Sequence, residues 1–531
     1  MIACSSKAQE VPDAGVGMSD ASVPVPPDAS VDAGLPSGRW TTGDLHVHTI
    51  QSNDAQTALS VVLEAALARN HLDWITLSNH LRVSDRDEQG TAIPTGPIPM
   101  SKGVALYEVP AIVALQQAGT YANKIIFSSV EWDMPTHEHF IVGILSDAPA
   151  AGPALRALNQ FEYLFTNRAA SMFDAADVAS WGKQRWSSTH ADALQAFAWL
   201  KQQYPDSSYG IVAHPSRNPG RYKISDFREL NDLAPSIVFA IEGMLGNQME
   251  PDRGGYASPY IEANALSRTY GGCDSVIAKV GGVWDALLGE GRRMWSFGDS
   301  DFHFKTAADM YSSGYFPGEY TKNYVWVDGD GMPALMRGLR SGKAFSVTGD
   351  LVSALDFAVV GPAGGPAEMG GELGVARGSK VTIKIRFKSD LPSNYETSVG
   401  SGNVPGALPV VDHVDLIAGD VGAKAQPGTP AYDLATNASA HVVARFTAKD
   451  WVTDAAGFHV VTYELTADKD QYFRLRGTNL GPDVPGETEN GEPLADAKID
   501  IVDHHARFDA INNRNYADLW FYSNPVFVKI H

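Results

Sequence analysis

Histidine and carboxylate side chains follow short apolar segments at several points in the first 305 residues of the chain. Imidazole and carboxylate groups, with no thiolate among them, are ligands that zinc, manganese and iron accept. Nine ligands exceed what one ion takes, and a carboxylate can bridge two ions, so the pattern predicts two or three divalent metal ions. The predicted ligands are His46, His48, Asp54, His80, Glu131, His139, His214, Asp301 and His303.

Ions held in this way predict hydrolytic chemistry on a small-molecule substrate. Metal ions a few ångströms apart can share a water molecule, lower its pKa towards neutrality, and hold both the attacking and the leaving oxygen. A hydrolase that uses such a metal-bridged hydroxide needs no serine or cysteine nucleophile. Arg217, three residues after His214, is a candidate for orienting an anionic substrate, and the alternative is an ordinary surface cation.

The elements that would position these residues alternate between strands and helices. Side chains two residues apart on a strand share one side, so His46 and His48 are expected to point the same way. The alternation predicts a parallel sheet covered by helices, either open or closed into a barrel, with the ligands at its carboxyl-terminal rim. Strands are predicted at 43–48, 73–78, 124–130, 139–145, 210–213, 237–242 and 294–297, and helices near 57–70, 110–118 and 190–203.

Alternatives remain open at two of the predicted ligands. His137 lies two residues before His139 and could face the same side, but an apolar segment follows His139 directly, which favours His139. Asp299 is an alternative to Asp301. Asp301 is favoured because it lies two residues before His303, whereas Asp299 lies four residues before it. Glu242 ends a predicted strand and could contact the metal ligands without binding an ion itself.

The pattern changes at about residue 346. Alternating apolar and polar residues, separated by Gly, Pro, Asn and Asp, are typical of an antiparallel β-sandwich. The strands predicted there include 381–387, 414–417, 459–465 and 472–476. The sequence therefore predicts a β/α domain over 40–345 and a sandwich domain over 346–531.

The composition excludes some classes of function. The chain has 531 residues and a formal net charge of -21, and no Lys/Arg run supplies the basic surface that nucleic-acid binding needs. No apolar run approaches the roughly 20 residues that span a bilayer. With two cysteines, Cys4 and Cys273, the chain has neither a disulfide framework nor a thiolate metal site.

The first 39 residues are rich in Ala, Asp, Pro, Val, Ser and Gly and contain no aromatic residue. Such a segment cannot bury enough surface to offset the entropy of ordering, so we expect a disordered tether over 1–39. Ala3-Cys4 followed by two serines resembles the cleavage site of a bacterial lipoprotein. This resemblance predicts a lipid anchor at Cys4 and an extracytoplasmic protein, membrane-anchored or periplasmic; a free thiol on a disordered tail is the alternative.

Five short motifs in the first 305 residues resemble those of the PHP (polymerase and histidinol phosphatase) superfamily, in the same order along the chain. They are His-Val-His-Thr at 46–49, Ser-Asn-His at 78–80, Val-Glu-Trp at 130–132, Ala-His-Pro at 213–215 and Gly-Asp-Ser-Asp-Phe-His at 298–303. The resemblance implies a distorted seven-stranded β/α barrel with a trinuclear metal site. It also implies a metal-dependent hydrolase, most simply a phosphoesterase.

The resemblance also implies which residue holds which ion. Asn79 departs from the family, whose second motif usually reads Asp-His, and this puts the third ion or the substrate in doubt. The implied sets are His46, His48, Glu131 and Asp301 for the first ion, Glu131, His139 and His214 for the second, and Asp54, His80 and His303 for the third.

The segment 520–525, Trp-Phe-Tyr-Ser-Asn-Pro, is similar to secreted PHP proteins related to carbaryl hydrolase. This similarity implies hydrolysis of a carbamate or a carboxylic ester as the alternative to a phosphoester. A different class of function also remains open: a surface-binding lipoprotein whose sandwich grips glycan or envelope material and whose barrel has lost activity.

Overall fold

The apolar segments of the chain form several sheets in a mixed α/β fold. The computed structural model describes residues 38–145, 152–218, 220–246, 248–256, 268–305, 314–392 and 406–531. These residues belong to one compact unit, Gly38–His531. Cys4 and nearly all of the predicted tether lie outside the described residues, so the tether and the lipid anchor stay predictions.

The strands of the first 350 residues are short and mostly buried. They are β1 (Arg39–Asp44), β2 (Trp74–Leu77), β3 (Val83–Ser84), β4 (Ile98–Pro99), β5 (Ile125–Ser128), β6 (Val130–Asp133), β7 (His139–Ile144), β8 (Ser208–Val212), β9 (Val238–Met244), β10 (Trp295–Gly298), β11 (Thr321–Val327) and β12 (Ala344–Thr348).

The strands that follow are longer on average, and several alternate between buried and exposed residues. They are β13 (Ala354–Val360), β14 (Ala367–Glu368), β15 (Glu372–Val375), β16 (Ser379–Lys388), β17 (His413–Asp420), β18 (His441–Thr447), β19 (Val452–Thr453), β20 (His459–Ala467), β21 (Gln471–Thr478), β22 (Thr488–Glu489), β23 (Glu492–Pro493), β24 (Trp520–Ser523) and β25 (Val526–Ile530).

Helices connect many of the strands in the first 350 residues. The α-helices are α1 (Leu59–Leu63), α2 (Met100–Gly103), α3 (Val109–Gln117), α4 (Gly152–Phe165), α5 (Ala175–Trp181), α6 (His190–Gln203), α7 (Ile224–Leu233), α8 (Ser275–Ala278), α9 (Val283–Leu288), α10 (Gly331–Ser341) and α11 (His504–Ala517). The π-helical turn Glu64–Arg69 extends α1, and a second, Val104–Glu108, joins α2 to α3. Within the described residues, no helix is both long and apolar enough to cross a bilayer.

Two sheets carry the predicted ligands. In the first, β1, β2 and β5 are parallel neighbours, and β11 and β12 extend it on the other side of β1. The second runs β10-β9-β8-β7-β6, with its first three strands parallel and the rest antiparallel. Isolated bridges join Val47, after β1, to Phe302, after β10, and His80, after β2, to Glu131 on β6. The ladders of the described residues do not close into a ring, so the closed seven-stranded barrel stays a prediction.

A glycine allows β1 and β2 to approach closely beneath the first ligands. Gly43 is the cross-strand partner of Trp74, whose ring is fully buried. A Cβ atom added to Gly43 would come within 2.0 Å of that ring. The glycine before the His46–His48 pair therefore has a packing role, because any side chain there would push the two strands apart.

The last 180 residues do not form a separate sheet system. β14, β13, β16, β20 and β19 make an antiparallel sheet of their own. However, β24 pairs with β12, so β21, β25, β15, β17 and β18 belong to the same large sheet as β1. The predicted boundary at 345/346 thus falls inside β12, and the division into two domains stays a prediction.

Candidate metal centre

His46 and His48 lie just beyond the end of β1, in the buried segment that precedes α1. Both are fully buried, and their Nε2 atoms are 3.1 Å apart. Leu45 and Val47, on either side of His46, belong to the hydrophobic core. The alternation of apolar and imidazole side chains therefore turns both histidines to one side, as the sequence predicts.

Glu131 is the residue on which the histidines converge. It lies on β6, is 1% exposed, and has a carboxylate oxygen within 3.3 Å of an imidazole nitrogen of each of five histidines. The five contacts are His139 Nδ1 at 2.6 Å, His80 Nδ1 at 2.8 Å, His214 Nε2 at 3.1 Å, and His46 and His48 Nε2 at 3.3 Å each.

The three remaining predicted ligands complete the group. Asp301 Oδ1 lies 3.2 Å from His46 Nε2, and the ring of His303 stacks on that of His48 with centroids 4.0 Å apart. Asp54, which is partly exposed, lies with Oδ2 3.0 Å from His80 Nε2. The structure therefore brings all nine predicted residues to one place.

The backbone is turned sharply at two of these residues. His214 has φ 25° and Asp301 has φ 45°, in the left-handed region that side chains other than glycine seldom adopt. Each follows a buried strand, β8 or β10, within three residues. Strained backbone of this kind clusters where side chains must be aimed at a site.

The contacts around Glu131 suit a cation better than they suit hydrogen bonds. His80 Nδ1 and His139 Nδ1 lie close to Glu131 oxygens, yet neither nitrogen has a partner with hydrogen-bond geometry. A buried polar atom without such a partner is costly. Nitrogen and oxygen atoms that crowd together without hydrogen-bond geometry are what ligands of a common ion show, so the residues fit divalent ions.

Several outer ring nitrogens are fixed by acceptors, which turns the opposite nitrogen towards the centre. His46 Nδ1 lies 3.2 Å from Glu242 Oε1, and His303 Nδ1 lies 2.9 Å from the Asp301 carbonyl oxygen. Carboxylate and carbonyl oxygens only accept, so the proton sits on Nδ1 and the Nε2 lone pair is available. Ligand histidines are commonly held in this way.

Ser52 fixes His48 in the same way, through Asn79. The Ser52 hydroxyl donates to Asn79 Oδ1 at 3.1 Å, so it accepts from His48 Nδ1 at 3.1 Å. Asn79 Oδ1 also accepts from the Thr49 backbone, and Asn79 Nδ2 donates to Glu108 Oε2. The asparagine that departs from the family pattern thus holds the first histidine segment in place.

Glu108 supplies a carboxylate beside Asn79 that sequence reasoning missed. It is fully buried in the π-helical turn after α2, and burial raises its pKa to about 7. No pattern in the sequence marks it, because it lies far along the chain from the motif that it supports. Ser52 was also missed, although it lies only four residues after His48.

Charges inside the group shift its protonation. Burial alone would raise the pKa of Glu131, but the charges of His139 and His80 outweigh it and hold the pKa well below its usual value. Burial lowers the pKa of His139, but Glu131 and Asp133 outweigh it and raise the pKa to about 10. A cation must therefore displace a proton from His139, so metal affinity weakens as the pH falls.

At least four sets of side chains here, one of which includes Glu242, have ligand atoms all within 4.8 Å of one another. The first coincides with the set that the family resemblance implies for one ion, and the others redistribute the remaining histidines. The sets are His46, His48, Glu131 and Asp301; His80, Glu131 and His139; His48, His80 and His303; and His46, His214 and Glu242.

A cavity of 350 Å³ opens onto the group, a size suited to a small molecule. Arg217 lies at its wall with one guanidinium nitrogen 3.8 Å from Asp301 Oδ2. Arg82, which the sequence did not single out, is a second cation at the wall, and Asp133 holds it by two hydrogen bonds of 2.7 and 2.8 Å. The lining residues are Asp54, His80, Arg82, Glu131, Glu138, His139, Arg217, Asn218, Gly255, Asp301 and His303.

The two open alternatives are placed differently by the structure. His139 contacts Glu131, whereas His137 lies outside the group, beside His190 and Asp226. Asp301 contacts His46, whereas Asp299 accepts a hydrogen bond from the backbone N–H of Leu45. Burial and the neighbouring charge of Asp44 raise the pKa of Asp299 well above its usual value.

Glu242→Gln is expected to weaken metal binding about 10- to 100-fold, the usual effect of losing a partner that orients a ligand. Glu242 Oε1 faces His46 Nδ1, and Oε2 accepts from the His214 backbone at 2.7 Å. A glutamine amide would turn a donor towards one of these two N–H groups. Competition with a chelator would measure the apparent affinity.

Glu162→Gln is the matched control for Glu242→Gln. Glu162 is equally buried, and its two oxygens accept from the backbone nitrogens of Met100 and Ser101, outside the metal centre. The control should keep the metal affinity of the natural protein. Equal affinity in the two variants would contradict an orienting role for Glu242.

Comparisons with known proteins include a distant likeness to a solved structure. The crystal structure of a two-domain protein from Bacteroides vulgatus ATCC 8482, described as containing a predicted PHP-like metal-dependent phosphoesterase, covers 87% of this chain and 95% of its own. The identity is 13% and the TM-score 0.34, too low to carry information about function. No family model matches the chain, and no curated protein matches it.

Proposed function

We propose that this chain is a metal-dependent hydrolase of the PHP type that acts on a phosphoester. The observation that carries the proposal is the convergence of eight imidazole and carboxylate side chains, from separate segments of the chain, on the region of Glu131. A distorted β/α barrel is the proposed frame, with the two sheets as its walls. Packing alone gives no reason to bury so many ionisable groups together.

Two or three divalent ions, zinc, manganese or iron, would be held by the nine side chains. When bound, such ions would lower the pKa of a water molecule and polarise the oxygens of an ester. Glu131 would contribute to holding more than one ion, because its two oxygens face different histidines. Asp54, at the partly exposed edge, would close the group towards the cavity.

The cavity wall favours an anionic substrate over a neutral one. Arg217 and Arg82 both reach the cavity, and Asn218 also lines it, with its amide donating to Glu138 Oε2. Asp133 fixes Arg82 in one orientation, whereas the contact of Arg217 with Asp301 is longer, at 3.8 Å. A guanidinium group binds phosphate oxygens with paired hydrogen bonds, so Arg217 would bind and orient the phosphoester.

The segment that resembles carbamate hydrolases does not reach the cavity. Trp520, Phe521 and Tyr522 are buried in β24, where they pack in the core. None of the three lines the cavity beside the metal centre. Carbamate or carboxylic ester hydrolysis therefore enters as an outcome of the test below.

The test combines elemental analysis with a panel of chromogenic substrates: a phosphodiester, a phosphomonoester, a carboxylic ester and an aryl carbamate. We expect at least two divalent ions per chain and turnover of a phosphoester. Turnover of only the neutral esters would move the proposal to the carbamate branch. Protein without bound metal after purification without chelator would overturn it, and a metal-loaded protein inactive on every substrate would favour a binding function.

Arg217→Met is expected to raise KM for the phosphoester about 10- to 100-fold, the value of one lost charge-assisted hydrogen bond. Hydrolysis of a neutral ester should change much less, and the metal content should not change. Arg221→Met, an exposed residue four positions later, is the matched control and should leave all three unchanged. An equal effect of both variants would contradict the role of Arg217.

A further inference from the structure

A second group of ligand-type side chains lies outside the metal centre. His137, His190 and Asp226 each offer one nitrogen or oxygen atom, and these atoms lie within 4.8 Å of one another. Glu229 adjoins them, with Oε2 2.9 Å from His190 Nε2. We call these four residues the outer cluster; none of them lines the central cavity.

His137 is held as a ligand histidine would be. Its Nδ1 lies 2.9 Å from the carbonyl oxygen of Pro135, which can only accept, so the proton sits on Nδ1. The Nε2 lone pair then faces the rest of the outer cluster. The side chain is only 4% exposed, so this nitrogen has little access to bulk water.

The spacing between His137 and Asp226 fits an ion better than a hydrogen bond. His137 Nε2 lies 3.5 Å from Asp226 Oδ2, which is long for a hydrogen bond. Ligand atoms around tetrahedral zinc are about 3.4 Å apart, given bonds of about 2.1 Å. The backbone N–H of Lys223 donates to the same oxygen of Asp226 at 2.7 Å and fixes it in position.

Two partly exposed residues could complete the coordination from the solvent side. His190 is the first residue of α6, and its ring lies 5.0 Å from that of His137. Its side chain is 36% exposed and that of Glu229 is 44% exposed, so both can turn towards an ion that enters from solvent. Two imidazoles and two carboxylates form a ligand set that zinc accepts.

The partial positive charge at the beginnings of two helices disfavours a cation in the outer cluster, so negative side chains must offset it. α6 and α7 begin at His190 and Ile224, and the first turn of a helix carries partial positive charge. Asp226 and Glu229 provide two negative charges directly beside the two rings. His137 Nε2 and the carboxylate of Asp226 face each other at 3.5 Å, close to the spacing of two ligands of one zinc ion.

We propose that the outer cluster binds one zinc ion, separate from the ions of the metal centre. The ion would join the turn before β7 to the beginnings of α6 and α7. Tyr222 links the two places: its ring lies 5.2 Å from that of His137, and its hydroxyl donates to the carbonyl oxygen of His139 at 2.9 Å. The zinc ion therefore has a structural role, in stabilising the segment that carries His139.

The test measures zinc bound per chain after equilibrium dialysis of the full-length protein against buffered zinc. We expect His190→Ala and, independently, Asp226→Asn to bind one zinc ion fewer than the natural protein. His441→Ala, an exposed histidine whose Nδ1 lies 2.8 Å from the Ser439 carbonyl oxygen, is the matched control and should lose none. Equal zinc in the natural protein and in both variants would overturn the proposal.

A second measurement separates the outer cluster from the metal centre. In the Glu131→Gln, Asp301→Asn background, which weakens the centre, saturating zinc should still raise the melting temperature, by about 1–3 °C. Adding His190→Ala should abolish that rise, because it removes a proposed zinc ligand. The substitution should not disturb the core, because the side chain is 36% exposed. A rise that persists in the triple variant would also overturn the proposal.

Discussion

Glu131→Gln is expected to remove most of the bound metal and to lower kcat/KM by more than about 100-fold. Losing a residue that merely orients a ligand typically costs 10- to 100-fold, and Glu131 contacts five histidines itself. Glutamine has nearly the same shape but carries no charge and one acceptor oxygen fewer. Elemental analysis and steady-state kinetics on the same preparation would measure both losses.

Glu162→Gln tests whether any buried glutamate would behave in this way. Glu162 is as buried as Glu131, and burial raises its pKa to about 7, but it accepts hydrogen bonds from Met100 and Ser101, outside the metal centre. We expect this control to keep its metal and its kcat/KM. If Glu131→Gln kept full metal and full activity, the metal centre would not be the catalytic site.

Asp285→Ala is expected to lower the free energy of unfolding by about 3–5 kcal/mol, the usual cost of leaving a buried charge without its partner. Asp285 on α9 accepts two hydrogen bonds of 2.8 Å from Arg474 on β21, and both side chains are fully buried. Tyr472 also donates to Asp285 at 2.9 Å. Urea unfolding followed by fluorescence would measure the change.

The double variant Asp285→Ala, Arg474→Met shows whether the cost comes from the uncompensated charge. Since the second substitution removes that charge, the double variant should be more stable than Asp285→Ala alone. Asp330→Ala breaks the exposed pair with Arg39, in which the side chains are 60% and 88% exposed, and should cost less than about 1 kcal/mol. Equal costs for the buried and the exposed pair would contradict this account.

Local patterns predicted the residues of the metal centre better than they predicted the neighbouring residues that contact them or line the cavity. His46 and His48 were found because strand spacing places both on one side, and Glu131 because it follows an apolar segment. The grouping of such residues into sets compatible with metal binding is confirmed. Glu108 and Arg82 were missed, since only the folded chain brings them beside Asn79 and the cavity.

The secondary structure shows the same division between local and long-range information. The predicted helix 190–203 is α6, whose start is fixed by a capping box between Thr189 and Asp192. The mixed α/β class is confirmed as well. In contrast, the segment 84–103, whose many Gly and Pro residues predict a loop, contains the last residue of β3 and all of β4 and α2. Two-residue strands carry no periodicity from which they could be predicted.

The pairing of β12 with β24 limits how this protein can be divided or recombined. Phe345 and Val347 sit opposite Ser523 and Phe521, so strand partners about 175 residues apart complete the large sheet. A fragment that stopped near residue 350 would expose an unsatisfied edge with apolar side chains, a template for aggregation. In such a fragment β12 would therefore keep β11 as a neighbour and lose β24.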